Sequence, residues 1–126
     1  MTENEISNIV INCAIEVHKT LGGPGLLESV YEQCLAIELE NQKINIKRQK
    51  ELPIVYKNKK IGTSLRIDLL VENKVIIECK AVEKFNPIYK AQALTYLRLS
   101  GLKLALVLNF GEKYLKNGIY RVVNGL

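Results

Sequence analysis

No run of about eighteen consecutive apolar residues occurs in this chain, so no stretch of it reads as a membrane-spanning helix. Its first residues also lack the charged-then-apolar pattern of an export leader. The expectation is a cytoplasmic protein. Cysteine is sparse, with Cys13, Cys34 and Cys79 far apart, each inside an apolar segment and none in a Cys-x-x-Cys pair. That pattern argues against a clustered redox or metal-binding cysteine motif and reads as three reduced core residues. Repeats, low-complexity tracts and linkers are missing too. The 126 residues are then expected to form one domain, large enough for a respectable core but too small for separate catalytic and recognition domains. Any substrate has to be held by the same fold that acts on it.

Charge of one sign is in modest excess. Eighteen Lys and Arg against thirteen Asp and Glu give a net charge of +5 and an isoelectric point near 9.1, a balance that favours a polyanionic partner such as nucleic acid.

Residues 5–20 place Ile6, Ile9, Val10, Cys13, Ala14 and Val17 on one stripe of an amphipathic helix. Gly22-Gly23-Pro24-Gly25 stops it and turns the chain. Leu26, Leu27, Val30, Tyr31, Cys34, Leu35, Ile37 and Leu39 then outline a second helix to about Asn41, with Glu28 in its first turn. From Ile44 to Tyr56 the pattern is that of a strand, in which Pro53 suggests an edge position or a strand start. Lys57-Asn58-Lys59-Lys60 is a basic tight turn. Residues 86–100 return to helical spacing, with Asn86-Pro87 as N-cap and first turn and Gly101 as the stop. Leu102–Phe110 is almost continuously apolar, as a central strand covered on both faces should be. A short strand over 118–123 follows, at an edge.

The polar residues of Ser64–Val82 need a reason. Ser-Leu-Arg-Ile-Asp-Leu-Leu-Val and Val-Ile-Ile-Glu-Cys-Lys-Ala-Val read as two strands joined by turn residues Glu72, Asn73 and Lys74. Period two puts Glu78 and Lys80 on one face and Cys79 on the other. A three-residue loop pairs Val71 with Val75 and brings Asp68 opposite Glu78. A two-residue turn of Asn73 and Lys74 pairs Asp68 with Cys79 instead. Two carboxylates directly opposite each other destabilise a sheet unless a cation offsets them, either a divalent metal on oxygen ligands or the Lys80 ammonium. The plainer reading is a solvated sheet face on which Asp68 and Glu78 pair with Arg66 and Lys80.

Asp68…Glu78-x-Lys80 on a hairpin resembles the motif of the PD-(D/E)-x-K nuclease superfamily. Gly25-Leu-Leu-Glu28-Ser-Val-Tyr31 resembles the Gly-x-x-Glu-x-x-Tyr signature of the GxxExxY family within it. Val17-His18-Lys19, Pro24-Gly25, Asp68-Leu69-Leu70-Val71, Gln92, Tyr96-Leu97 and Asn109-Phe110-Gly111 follow in that family's order. The departures are an extra glycine before Pro24 and Cys79 in place of a plain aliphatic.

The resemblance implies an α/β fold with a restriction-endonuclease-like core, a mixed sheet flanked by helices in the order α-α-β-β-β-α-β-β. It implies metal-dependent hydrolysis of nucleic-acid phosphodiesters, DNA before RNA, with Mg²⁺ or Mn²⁺ held by Asp68, Glu78, the Cys79 carbonyl and Glu28. Lys80 would stabilise the transition state or position the attacking hydroxide. Glu28 has a mundane explanation as an acid at a helix N-terminus, and His18 one as a packing or helix-end residue. By the resemblance Glu28 joins or supports the metal site, while His18, Tyr31, Gln92 and Tyr96 bind substrate or support the site. The alternatives are a nucleic-acid-binding module without turnover and a protein-interaction or regulatory domain on the same fold.

Overall fold

The computed structural model describes residues 1–126. The elements run α1 (Glu3–Thr20), α2 (Glu28–Asn41), β1 (Ile46–Tyr56), β2 (Lys59–Val71), β3 (Val75–Lys80), α3 (Ile88–Ser100), β4 (Leu104–Asn109), a 3-10 turn (Leu115–Gly118) and β5 (Ile119–Val123). This is the expected order with one short turn added. A five-stranded mixed sheet, ordered β1-β2-β3-β4-β5, lies between α1 and α2 on one face and α3 on the other. β1 to β3 form an antiparallel meander. β3 and β4 are parallel, as a strand-helix-strand crossover requires. No helix is long and apolar enough to cross a membrane.

Local chemistry sets the element ends. Thr2 and Glu5 form a reciprocal capping box at the start of α1. The Asn86 side chain accepts the Ile88 N–H at 2.9 Å, and Gly101, at φ 74°, closes α3 in the left-handed conformation. Every residue of β4 is buried. Beneath α1 and α2 lies the larger apolar cluster, with Val10, Leu35, Leu69, Ile77 and Leu106. Ile67, Ile76, Leu97 and Val107 are in the smaller one beneath α3. Cys13 and Cys79 are buried and Cys34 is half-buried; all three are free.

β2 differs from the expectation of a strand buried along its length from Ser64. It begins at Lys59, and residues 59–64 are exposed, as is Arg66. These residues pair with β1 alone, because the β2–β3 ladder runs only from Val71–Val75 to Leu69–Ile77. The far half of β1 and β2 is therefore a two-stranded ribbon held by its own hydrogen bonds rather than by the core.

The ribbon turns over where it leaves the sheet. Residues two apart in a strand share a face, yet Ile46 packs beneath α1 and α2 while Leu52 packs beneath α3. Ile67 and Leu69 are divided between the two clusters in the same way. Between them the β1–β2 ladder skips Gln49 and Asp68, and Gln49 takes φ 49°. Asp68 thus stands at a break in the sheet.

Candidate active site

The hairpin turn decides the register. Glu72, Asn73 and Lys74 lie between paired Val71 and Val75, with Glu72 and Asn73 in the left-handed region at φ 52° and 55°. Continued past the last ladder pair, Leu69–Ile77, that register brings Asp68 level with Glu78, as a three-residue loop requires. Here β2 peels away from β3, and a side chain closes the gap: Asp68 Oδ2 accepts the Cys79 N–H at 2.9 Å.

Glu78 is only 6% exposed, and its Oε1 is the one buried side-chain polar atom in the protein without a hydrogen-bond partner. Burial, first, and then the charge of Asp68 push its carboxyl from 4.5 up to about 9, with a smaller contribution from a proton shared with Asp68. Lys80 opposes the rise. Two ionised carboxylates have no proton to share, so that bond exists only in the protonated pair. The repulsion expected from sequence is present, but desolvation is the larger cause.

The plainer salt-bridge reading does not hold. Arg66 lies 3.8 Å from Glu51, and neither Asp68 nor Glu78 has a basic partner within 4.0 Å. Lys80 is half-buried, with its Nζ 4.7 Å from the centre of the Tyr89 ring in α3, a cation–π contact. Tyr96, also on α3, is half-buried, and its hydroxyl is pushed up first by burial and then by Glu78 and Asp68. Gln92 is exposed on that helix and makes no side-chain hydrogen bond.

On the other face the Cys79 thiol is fully buried. Desolvation raises it well above the ordinary range, and the charges of Asp68, Glu32, Glu78 and Glu28 add to the rise. Glu28 is exposed at the first position of α2. No set of three or more His, Cys, Asp or Glu side chains converges to hold a metal ion, so Glu28 is not drawn into the acidic pair.

Tyr31 and His18 have structural partners. The Tyr31 hydroxyl donates to the Gly23 carbonyl at 2.7 Å and accepts the Leu26 N–H at 3.2 Å, pinning the turn that delivers Glu28. Its buried ring stacks on Phe110 at 4.6 Å. His18 is buried with Nε2 2.8 Å from the Glu112 carbonyl oxygen.

Three features carried no assigned role in the sequence. Asn109 is buried; its Oδ1 accepts the Val82 and Gly111 N–H groups and its Nδ2 donates to the Val82 carbonyl, all at 3.0 Å. A side chain at Gly111 would overlap the Val82 backbone. Together they clamp the chain just beyond Lys80. Glu32 is buried in α2 and binds Arg48 at 3.0 Å and Gln49 at 2.7 Å, fastening the turned-over point of β1. Only Asn109 and Gly111 left a trace, as the Asn-Phe-Gly ending an apolar run.

A family model described as the PD-(D/E)XK nuclease superfamily matches residues 4–122. Among solved structures, the crystal structure of SSO0001 is similar, with a TM-score of 0.53 and 18% identity over 98% of this chain. The match covers 60% of the SSO0001 chain, and at that identity the likeness speaks for the fold alone. No curated protein matches.

Proposed function

The chain belongs to the PD-(D/E)XK nuclease superfamily, and from that premise we propose that it hydrolyses nucleic-acid phosphodiester bonds, DNA before RNA, with Mg²⁺ or Mn²⁺. Within the superfamily we assign it to the GxxExxY group on Gly25, Glu28 and Tyr31. One cytoplasmic domain would both hold and cut the strand.

The observation that carries the proposal is the bare Glu78 Oε1 beside Asp68. A buried carboxyl oxygen without a hydrogen-bond partner is costly to leave in place, and neither Arg66 nor Lys80 satisfies it. Two adjoining carboxylates are the donor set of a hard divalent cation, and Mg²⁺ is commonly held by one or two carboxylates together with water and phosphate. The residues present fit the ion. Asp68, Glu78 and the Cys79 carbonyl would hold it, and Glu28 would support it from the start of α2. When bound, the cation supplies positive charge to the phosphate and makes a water more acidic.

The remaining work falls to the chain. Glu78, pushed up to about 9, holds a proton at neutral pH in the metal-free fold and would have to give it up to serve as a ligand. Lys80, parked on the Tyr89 ring, presents its ammonium to phosphate oxygens as their charge grows. Tyr96 keeps its proton and remains a donor, and exposed Gln92, four residues before it on the same helix, would meet the strand beside it. Tyr31 and His18 hold the backbone of the turn and of the loop after β4.

End-labelled single-stranded DNA, duplex DNA and RNA, each incubated with Mg²⁺, Mn²⁺ or EDTA, test the proposal. Cleavage that needs the ion is the expected result. Binding without cleavage on every substrate would favour the module without turnover.

A further inference from the structure

The net positive charge of this protein sits mainly on one projection. Residues 49–66, the β1–β2 ribbon beyond the point where it leaves the sheet, contain five basic residues and one acidic residue, a net +4, while the remaining chain has thirteen basic and twelve acidic, a net +1. Its one arginine, Arg66, lies beside Glu51. Lys57, Lys59 and Lys60 are exposed and Lys50 half-exposed, all without an acidic partner.

The tip is built against local preference. Tyr56 pairs with Lys59, leaving Lys57 and Asn58 as a two-residue turn with φ 48° and 67°. Such turns favour Gly, Asn and Asp, because a side chain in the left-handed region costs about 1 to 2 kcal/mol. Asn58 fits this rule and Lys57 does not. Nothing in the fold uses the Lys57 ammonium, which rests 5.4 Å from the exposed Tyr56 ring. Exposed Val55 and Ile61 flank it.

Dimensions and position complete the case. Residues 59–66 of β2, unpaired with β3, extend about 26 Å at 3.3 Å per residue, about three quarters of the roughly 34 Å helical repeat of duplex DNA. A two-stranded β-ribbon fits the major groove of B-form DNA, whereas the major groove of duplex RNA is too narrow to be read. The root of the ribbon is Asp68. We propose that the β1–β2 ribbon is a duplex-DNA grip that lies in the major groove, contacts phosphates through Lys57, Lys59 and Lys60, and leads the backbone to Asp68 and Glu78. This deepens the nuclease reading and rests on it for the destination of the strand. A second copy of the chain is the other conceivable occupant of the unpaired edge, but it would bring a ribbon of like charge.

Anisotropy of labelled duplex DNA, single-stranded DNA and duplex RNA, measured in EDTA over a range of salt, tests the grip without requiring cleavage. The ribbon variant carries Lys57→Gln, Lys59→Gln and Lys60→Gln. A second variant carries Lys19→Gln, Lys113→Gln and Lys116→Gln in the cavity of about 530 Å³ beside the end of α1. The wild type should prefer duplex DNA. The ribbon variant should lose about tenfold or more in affinity and about 2 to 3 in the slope of log K against log salt. The cavity variant should keep both. Equal binding of the three nucleic acids, an unchanged slope in the ribbon variant, or a loss confined to the cavity variant overturns the proposal. So does a ribbon variant that converts a dimer to a monomer in sedimentation while keeping its DNA affinity. Cleavage separates this proposal from the reading beneath it: a ribbon variant that loses binding in a protein that never cuts refutes the nuclease and leaves the grip, and unaltered binding in a protein that cuts does the reverse.

Discussion

Glu78→Gln should abolish a specific pH dependence of stability in the metal-free protein. The Glu78 carboxyl moves from 4.5 in the open chain to about 9 in the fold, so between those values the native state binds a proton that the unfolded chain has released. Stability from this group is therefore fully present below about pH 4.5 and lost progressively as pH rises towards 9. From 4.5 to 7 there are 2.5 decades at about 1.4 kcal/mol each, or about 3 kcal/mol lost by neutral pH. Glutamine has nearly the same shape and no such proton to release. In EDTA the wild-type midpoint should fall relative to the variant between pH 5 and 8, where about 4 kcal/mol is lost, by about 12 to 20 °C in all at roughly 3 to 5 °C per kcal/mol. Asp68→Asn should lessen the slope without abolishing it, because burial, the larger cause, remains. Melting curves at four pH values decide the matter. Parallel pH dependences for wild type and Glu78→Gln would mean that Glu78 is ionised normally in the fold and that the acidic pair is not a desolvated site.

Three further outcomes are expected. Millimolar Mn²⁺ should raise the wild-type melting temperature, by about 2.7 kcal/mol of stabilisation at a hundredfold excess over the dissociation constant, and should move Asp68→Asn little; equal shifts would place the ion elsewhere. Lys80→Ala should keep the Mn²⁺ shift and lose about 10²-fold or more in cleavage rate, whereas wild-type cutting would make Lys80 a surface residue. Tyr31→Phe should lower stability by about 1 to 2 kcal/mol through its bonds to Gly23 and Leu26; a loss of DNA affinity with stability intact would return Tyr31 to substrate binding.

Much of this architecture is legible because it rests on period and punctuation. The apolar stripe of α1, the unbroken apolar β4 and the Gly101 stop each announce themselves locally. The register of the hairpin is not settled that way, since a two-residue and a three-residue turn suit the same letters. Asp68 opposite Glu78 follows only once Asn73 and Glu72 are both seen in the left-handed region. The turn-over at Gln49 leaves no sign, because a glutamine at φ 49° has no sequence signature and its cause, Glu32, lies on another element. His18 is opaque for the same reason: its partner carbonyl is 94 residues away. The net charge of +5 points to a polyanion, but its location depends on knowing that residues 49–66 stand out from the sheet. Residues 59–63 offer one large apolar side chain, Ile61, so apolar pattern alone starts the strand too late.

The central claim is that Asp68 and Glu78 form a metal-dependent hydrolytic site. Its most direct test is single-turnover cleavage of end-labelled duplex DNA by wild type and Asp68→Asn at matched, saturating protein, with Mn²⁺ and with EDTA. Products should form with wild type and Mn²⁺ alone, while the variant still binds the duplex but leaves it intact. Cleavage by Asp68→Asn at the wild-type rate, or in EDTA, would contradict it.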